Sequence, residues 1–317
     1  MDPIDLLWLC RKGAYEGAPD DVFVPRLFSA GEFEGVWKTD RVQVRRILDE
    51  LLCGPYVGAG LELLLKSGAL HALFPELVAI KNLGDDPASA MHKDVWEHSK
   101  VVAASVPANV ELRWGALLHD IGKSRTRKFD GRKVTFHNHD IVGAQMLDRL
   151  ESRIGLFGKD DALFGTVRAL ILNHLRPAHY GKDWTDSGVR RLLTDIGGMR
   201  GFERLMSLSR ADLTTKNANK RDRAVLRGNE LEARVKAIYA EDNAPKLPKG
   251  TMGLIIERKV MPVGKGLTIV KEGLERLMAE GKLPVDKDAE WYATEGFKIL
   301  MSNGPITGVG GTLVPIK

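Results

Sequence analysis

Cysteine is scarce in this chain of 317 residues. Cys10 and Cys53 are the only two, and they form no Cys-x-x-Cys pair, so neither a disulfide framework nor a thiolate zinc site is expected. A reducing compartment fits such usage. Long apolar runs are missing as well. No stretch approaches the roughly 20 apolar residues that span a bilayer. The opening MDPIDLLWLCRKG carries Asp2 and Asp5 where a signal peptide carries basic residues. A cytoplasmic protein with no membrane partner is therefore expected. There is no phosphate cradle of the P-loop kind and no Gly-x-Ser-x-Gly elbow, which leaves serine or cysteine nucleophile chemistry without support. Charge of one sign does not dominate: 47 Lys and Arg against 42 Asp and Glu leave +5. That mild basic bias permits an anionic partner such as RNA without requiring one.

What is present is ordinary globular composition, with 44% hydrophobic and 28% charged residues, which excludes disorder as the main state. Helical periodicity dominates. In VQVRRILDELL, Val44, Ile47, Leu48, Leu51 and Leu52 recur at three- and four-residue steps, and Gly54-Pro55 stops the helix. GLELLLKSG and ALHALFPEL add short helices with tight breaks, which predicts a small bundle from about 35 to 80. A polar loop follows at 81–89. Further helices are expected in WEHSKVVAASV, ELRWGALLHD, DIVGAQMLDRLESRI, FGTVRALILNHL, SGVRRLLTDI, GFERLMSLSRADL and near 221–239. DGRKVTF, residues 130–136, reads as a short extended piece after an Asp-Gly turn. NAPKLPKG reads as a linker before a small module with one amphipathic helix, TIVKEGLERLMAEG. The Gly-rich last fifteen residues are expected to be mobile. The fold class is all-α, divided as 1–90, 91–240 and 241–317.

The strongest chemical signal is LLHDIGK, residues 117–123. An apolar helix face runs into His119 and Asp120, which offer one nitrogen and one oxygen ligand from a rigid base. His98 in WEHSKVV and Asp212 in SRADL supply further ligands from other helices. This mixed N/O set suits an octahedral divalent ion (Mn, Ni, Co, Mg or Fe) rather than structural zinc. Seven of the eight histidines fall between 92 and 179, where even spacing would put about two. His139 and His174 are expected to complete a second metal position or to donate to phosphate. His92, His137 and His179 are read as ordinary surface or core histidines. A bound divalent ion lowers the pKa of its water and polarises a phosphoryl oxygen. Asp120 would orient or deprotonate that water. Lys123 and Arg176, with Arg190 in a basic Arg-Arg pair, are candidate phosphate donors. Further cations cluster at 123–128 and 216–223.

HDIGK, with His98 before it and Asp212 after it, resembles the HD superfamily of metal-dependent phosphohydrolases. KSRTRKFDGRKVTFHNHDIVGAQML, HYGKDWTDSGVRRLLTDIGG and LSRADLTTKNANKR are similar to the HD-bearing region of bacterial CCA-adding tRNA nucleotidyltransferases and poly(A) polymerases. RILDELLCGPYVGAGLELLLKSGALHALFPEL resembles that family's neck, and PKGTMGLIIERKVMPVGKGLTIVKEGLERLMAEGKL its C-terminal arm. The resemblance covers about residues 40–295. The family's head carries a Gly-Ser pair followed by two carboxylates one residue apart. Residues 1–40 have no such pattern, and Asp20 and Asp21 are adjacent. CCA addition by this chain alone is not expected. What the resemblance implies is a 2′,3′-cyclic phosphodiesterase, 2′-nucleotidase or phosphatase, acting on a nucleotide or an RNA 3′ end. Two other readings stand beside it. One is the tRNA-binding body of a split nucleotidyltransferase with a separate head subunit, and the other is an HD hydrolase of free nucleotides.

Overall fold

The computed structural model describes residues 2–17, 29–85, 94–158, 162–215, 217–258, 264–303, 306–308 and 311–313. Asp20, Asp21, His92 and part of the 81–89 loop lie outside the described residues. The chain divides into two compact units, 1–235 and 236–317. No helix among the described residues is long and apolar enough to cross a membrane.

The first unit opens with α1 (Pro3–Glu16). Asp2 and Asp5 cap it reciprocally: Asp5 N–H donates to Asp2 Oδ1 at 2.8 Å, and Asp2 N–H donates to Asp5 Oδ2 at 3.2 Å. In α2 (Ala30–Cys53) the backbone leaves helical geometry at Asp40. The Asp40 carboxylate accepts from Gln43 N–H, so the apolar helix read from the sequence restarts there with its own cap. Val44, Ile47, Leu48, Leu51 and Leu52 are all buried. At about 1.5–3 kcal/mol per side chain removed from water, that stripe fixes α2 on the core. The helices α3 (Val57–Lys66), α4 (Ala69–Leu73) and α5 (Pro75–Lys81) follow with one-to-three-residue breaks.

Asp94 caps α6 (Val95–Ser105) and Asn109 caps α7 (Val110–Leu118). Every residue of α7 from Leu112 to Leu118 is buried, as a helix enclosed on all sides must be. It packs against α2, α6 and two later helices, α10 (Ala162–Asn173) and α12 (Gly198–Asp212). The indole of Trp114 donates to Asp49 Oδ1 at 2.6 Å, which ties α7 to α2. After a turn comes α8 (Lys123–Thr126), then an antiparallel hairpin of β1 (Arg127–Phe129) and β2 (Val134–Phe136). The extended piece expected at 130–136 is thus the turn and second strand of that hairpin. The unit continues with α9 (His139–Ile154), α10 (Ala162–Asn173), α11 (Asp186–Ile196) and α12 (Gly198–Asp212), while α13 (Ala218–Asp242) runs across the boundary between the units.

The second unit contains α14 (Thr251–Glu257), α15 (Lys265–Ala279), α16 (Ala289–Trp291) and α17 (Phe297–Ser302). Its own core joins Ile255, Ile269, Val270, Leu274, Leu277 and Tyr292. At the Gly-rich end the described residues pair as antiparallel strands, β3 (Ile306–Gly308) with β4 (Gly311–Leu313), with Ile306 opposite Leu313 and Thr307 opposite Thr312.

Candidate metal centre

The six residues expected as ligands come from five places in the chain and meet at one point. His98 projects from the first turn of α6. His119 and Asp120 occupy the turn just after α7, His139 is the first residue of α9, His174 directly follows α10, and Asp212 ends α12. Helix ends present side chains on rigid supports, so five separate segments can converge with little freedom left in any of them.

Two of these segments are locked together by an absent side chain. An ideal Cβ on Gly122 would lie 2.0 Å from the His139 carbonyl oxygen and 2.7 Å from the Gly143 nitrogen. Glycine is required there for close approach, since its φ of −63° suits any residue. Before His139, Asn138 takes a left-handed conformation, φ 60°, which swings the chain from β2 into α9.

The imidazoles are oriented by main-chain oxygens. Nδ1–H donates to the carbonyl three residues earlier in His119 (Ala116), His139 (Phe136) and His174 (Ile171), each at 2.7 Å. A carbonyl can only accept, so in the neutral ring Nε2 carries the free lone pair. In His98 the Thr214 hydroxyl lies 3.1 Å from Nδ1 and plays the same part. All four Nε2 atoms then face the two carboxylates.

Asp120 lies between two sets of nitrogens. Its Oδ2 is 3.2 Å from His119 Nε2 and 3.6 Å from His98 Nε2, while Asp212 Oδ1 is 2.8 Å from His98 Nε2 and 3.7 Å from His119 Nε2. Asp120 Oδ1 is 3.2 Å from His139 Nε2 and 3.8 Å from His174 Nε2, and those two nitrogens are 3.1 Å apart. Two ligand triads result, His98–His119–Asp212 and Asp120–His139–His174. Ligands about 2.1 Å from a divalent ion stand roughly 3.0–3.4 Å from one another, so the separations fit bound cations.

Charge makes the same case. His119 Nε2 is fully buried and makes no well-directed hydrogen bond, its nearest acceptor being Asp120 Oδ2 at 3.2 Å, an arrangement that costs free energy unless something coordinates it. Burial opposes charge on His119, yet the Asp120 and Asp212 carboxylates outweigh it and push its pKa up to about 10. Burial also opposes charge on Asp120 and Asp212, but the neighbouring cationic and hydrogen-bonding groups hold both well below the usual carboxylate range. His174, buried and beside charged His119, is pushed down to about 4 and stays neutral. The buried carboxylates call for positive charge, which a divalent cation would supply.

The expected phosphate donors separate. Lys123 Nζ is 2.6 Å from Asp120 Oδ2, at the edge of the cluster. Arg176 is engaged elsewhere, with Nη1 2.7 Å from Asp195 Oδ2 and 3.0 Å from Asn173 Oδ1. Arg190 sits half-buried on α11. His137 and His179 are exposed and stand apart from the six. Sequence reasoning missed Thr214, although it stands two residues beyond Asp212 within ADLTTKN. It also missed the three carbonyls, whose only trace is their i−3 spacing.

Comparison with known proteins agrees with this geometry. The HD domain family matches residues 93–224, which contain all six residues. The A-adding tRNA nucleotidyltransferase of Deinococcus radiodurans is 35% identical over 125 residues, 37% of this chain and 28% of that protein. The CC-adding tRNA nucleotidyltransferase of Thermus thermophilus is 34% identical over 113 residues, 33% of this chain and 26% of the relative. The multifunctional CCA protein of Alcanivorax borkumensis is 27% identical over 220 residues, 64% of this chain and 50% of the relative. The matched regions thus span between about a quarter and a half of these relatives' length. Residues 93–224 carry an HD domain, and the chain is homologous to the CCA-adding tRNA nucleotidyltransferases over the body region.

Proposed function

We propose that the chain is a metal-dependent phosphohydrolase acting on nucleotide or RNA-terminal phosphoesters, of the 2′,3′-cyclic phosphodiesterase, 2′-nucleotidase or phosphatase type. The observation that carries this reading is the paired triads about Asp120, with the orphaned His119 Nε2 at their centre. His98, His119 and Asp212 would hold one ion, His139 and His174 a second, and Asp120 would serve both. Four imidazoles with two carboxylates favour Mn, Fe, Co or Ni over the all-oxygen preference of Mg. Bound ions would supply an ionised water and a polarised phosphoryl oxygen. The chain's own residues do the rest. Asp120 orients the water, and Lys123, with three donor hydrogens, holds a phosphoryl oxygen as charge builds on it. Water oxygen bonds to phosphorus, the ester P–O bond breaks, and the released ribose oxygen takes a proton.

In this reading residues 1–90 are a neck, 91–240 the hydrolase domain and 241–317 an arm-like module. The homology to tRNA nucleotidyltransferases favours one second reading, a tRNA-binding body that works with a separate nucleotidyltransferase head. Phosphoester hydrolysis separates the two, read as ring opening to a phosphomonoester for cyclic substrates and as inorganic phosphate for monoesters. The purified chain, loaded in turn with Mn, Ni, Co and Mg, is offered 2′,3′-cyclic AMP, 2′-AMP, 3′-AMP, a dNTP and an RNA oligonucleotide ending in a cyclic phosphate. Metal-dependent hydrolysis of the 2′ and cyclic esters supports the hydrolase. Preference for the dNTP moves the reading to a free-nucleotide hydrolase. Silence throughout, with tRNA binding intact, favours the body subunit.

A further inference from the structure

The hairpin of β1 and β2 leaves the metal centre and ends in solvent, and its two faces differ. The pairing sets Arg127 opposite Phe136 and Phe129 opposite Val134 on one face, with Lys128 and Thr135 on the other. The first face is continuous with the site. Lys123 Nζ, 2.6 Å from Asp120, is also 5.5 Å from the centre of the Phe136 ring. Outward from Asp120 therefore come Lys123, then Phe136 and Arg127 side by side, then Phe129 beside Val134. Same-face positions on a strand are roughly 7 Å apart.

Phe129, at the outer end, is 47% exposed, so one ring lies open to solvent beside the turn. Cations surround it. Arg125, Lys128, Arg132 and Lys133 are exposed, and Arg125, Lys128 and Arg132 have no ion-pair partner among the described residues. The turn's one carboxylate, Asp130, accepts from the backbone N–H of Arg132 at 3.0 Å and of Lys133 at 2.9 Å, so it is turned onto its own loop. A folded protein face would meet unpaired positive charge here, and a lipid surface would gain a single ring. A single-stranded nucleic acid offers what both parts of the ledge need, phosphates for the cations and base faces for the rings.

We propose that this hairpin is a docking ledge for the last nucleotides of a single-stranded RNA, holding its 3′ end toward Asp120. The inference rests on the reading of the centre as a hydrolase of RNA-terminal phosphoesters, and it gives that site a preference for oligonucleotides over mononucleotides.

The test uses the full chain loaded with Mn. Binding is read by anisotropy of a fluorescein-labelled RNA hexanucleotide with an ordinary 3′ hydroxyl, which does not depend on hydrolysis. Turnover is read on the same hexamer ending in a 2′,3′-cyclic phosphate and on 2′,3′-cyclic AMP. Removing one base-stacking ring weakens such binding by about 5- to 150-fold. Phe129→Ala is expected to raise the hexamer Kd and KM about tenfold and leave the KM for cyclic AMP within twofold. Phe129→Trp is expected to restore hexamer binding. Arg132→Gln is expected to reduce the slope of log Kd against log salt by about 0.7. Wild-type hexamer affinity in Phe129→Ala overturns the proposal. So does an equal loss on both substrates, or binding of duplex RNA or phosphatidylserine vesicles as tight as that of the hexamer. Phe129-dependent binding with no ring opening of either substrate upholds the ledge and removes the hydrolase reading instead.

Discussion

Replacing Gly122 with alanine adds one methyl group where the turn after α7 touches α9. The new carbon would lie 2.0 Å from the His139 carbonyl oxygen, against an ordinary contact of at least 3.4 Å. The backbone conformation, φ −63°, suits alanine, so the whole cost arises from this contact. Both contacting groups are backbone, and α9 must retreat by more than about 1 Å. His139 is the first residue of that helix, and its Nε2 stands 3.2 Å from Asp120 Oδ1 and 3.1 Å from His174 Nε2. Metal–ligand distances hold to about 0.2 Å, so a retreat of that size empties the position that His139 shares with His174. His98, His119 and Asp212 lie on other segments and keep theirs. Overpacking of this kind costs about 1–3 kcal/mol, and misplacing a reacting group by 1 Å costs about 100-fold in rate. Expected are a urea midpoint lowered accordingly, one bound ion per chain by mass spectrometry where two are expected of the wild type, and hydrolysis down about 100-fold. Two ions with unchanged turnover would refute the account of how α9 is positioned.

Asp120→Ala removes the carboxylate that both triads face and leaves Lys123 without its partner; metal content measured after dialysis should fall below one ion per chain and hydrolysis should vanish, while the far-ultraviolet circular dichroism is retained. Lys123→Ala should raise KM for the phosphoester several-fold more than it lowers metal content, and equal losses would make Lys123 a structural residue. The chelated protein should lose stability as pH falls from about 6.5 toward 4, because the unfolded His174 imidazole takes up a proton that the buried one refuses. It should also lose stability as pH rises from about 6.5 toward 10, where His119 gives up the charge its carboxylates favour. Urea midpoints across pH check both limbs, and His174→Gln should flatten the acid limb alone.

The site was legible because its ligand types are uncommon neighbours. His119-Asp120 directly after the buried apolar run Trp114–Leu118 has no structural reason to be there, and the crowding of histidines between 92 and 179 points the same way. Periodicity found the helices because burial is periodic, as the five apolar positions of α2 illustrate. Periodicity did not show where α2 begins, since the break at Asp40 leaves the chain helical on both sides. Arg176 looked like a phosphate donor through its closeness in sequence to His174. Its guanidinium instead reaches Asp195 on α11, a tertiary partner that spacing does not reveal. The oxygens that aim the four imidazoles were invisible for a related reason. Three are main-chain carbonyls, which every residue has, and the fourth belongs to Thr214, which becomes informative only when seen against His98.

The central claim is that the two triads about Asp120 hold metal ions and that those ions serve phosphoester hydrolysis. The most direct measurement is titration of the chelated chain with Mn while ring opening of 2′,3′-cyclic AMP and of a cyclic-phosphate-terminated oligonucleotide to their phosphomonoesters is followed in the same samples. Two ions bound per chain, hydrolysis that rises with occupancy, and neither effect in Asp120→Ala are expected. Hydrolysis without metal, or two ions bound equally well by Asp120→Ala, would contradict the claim.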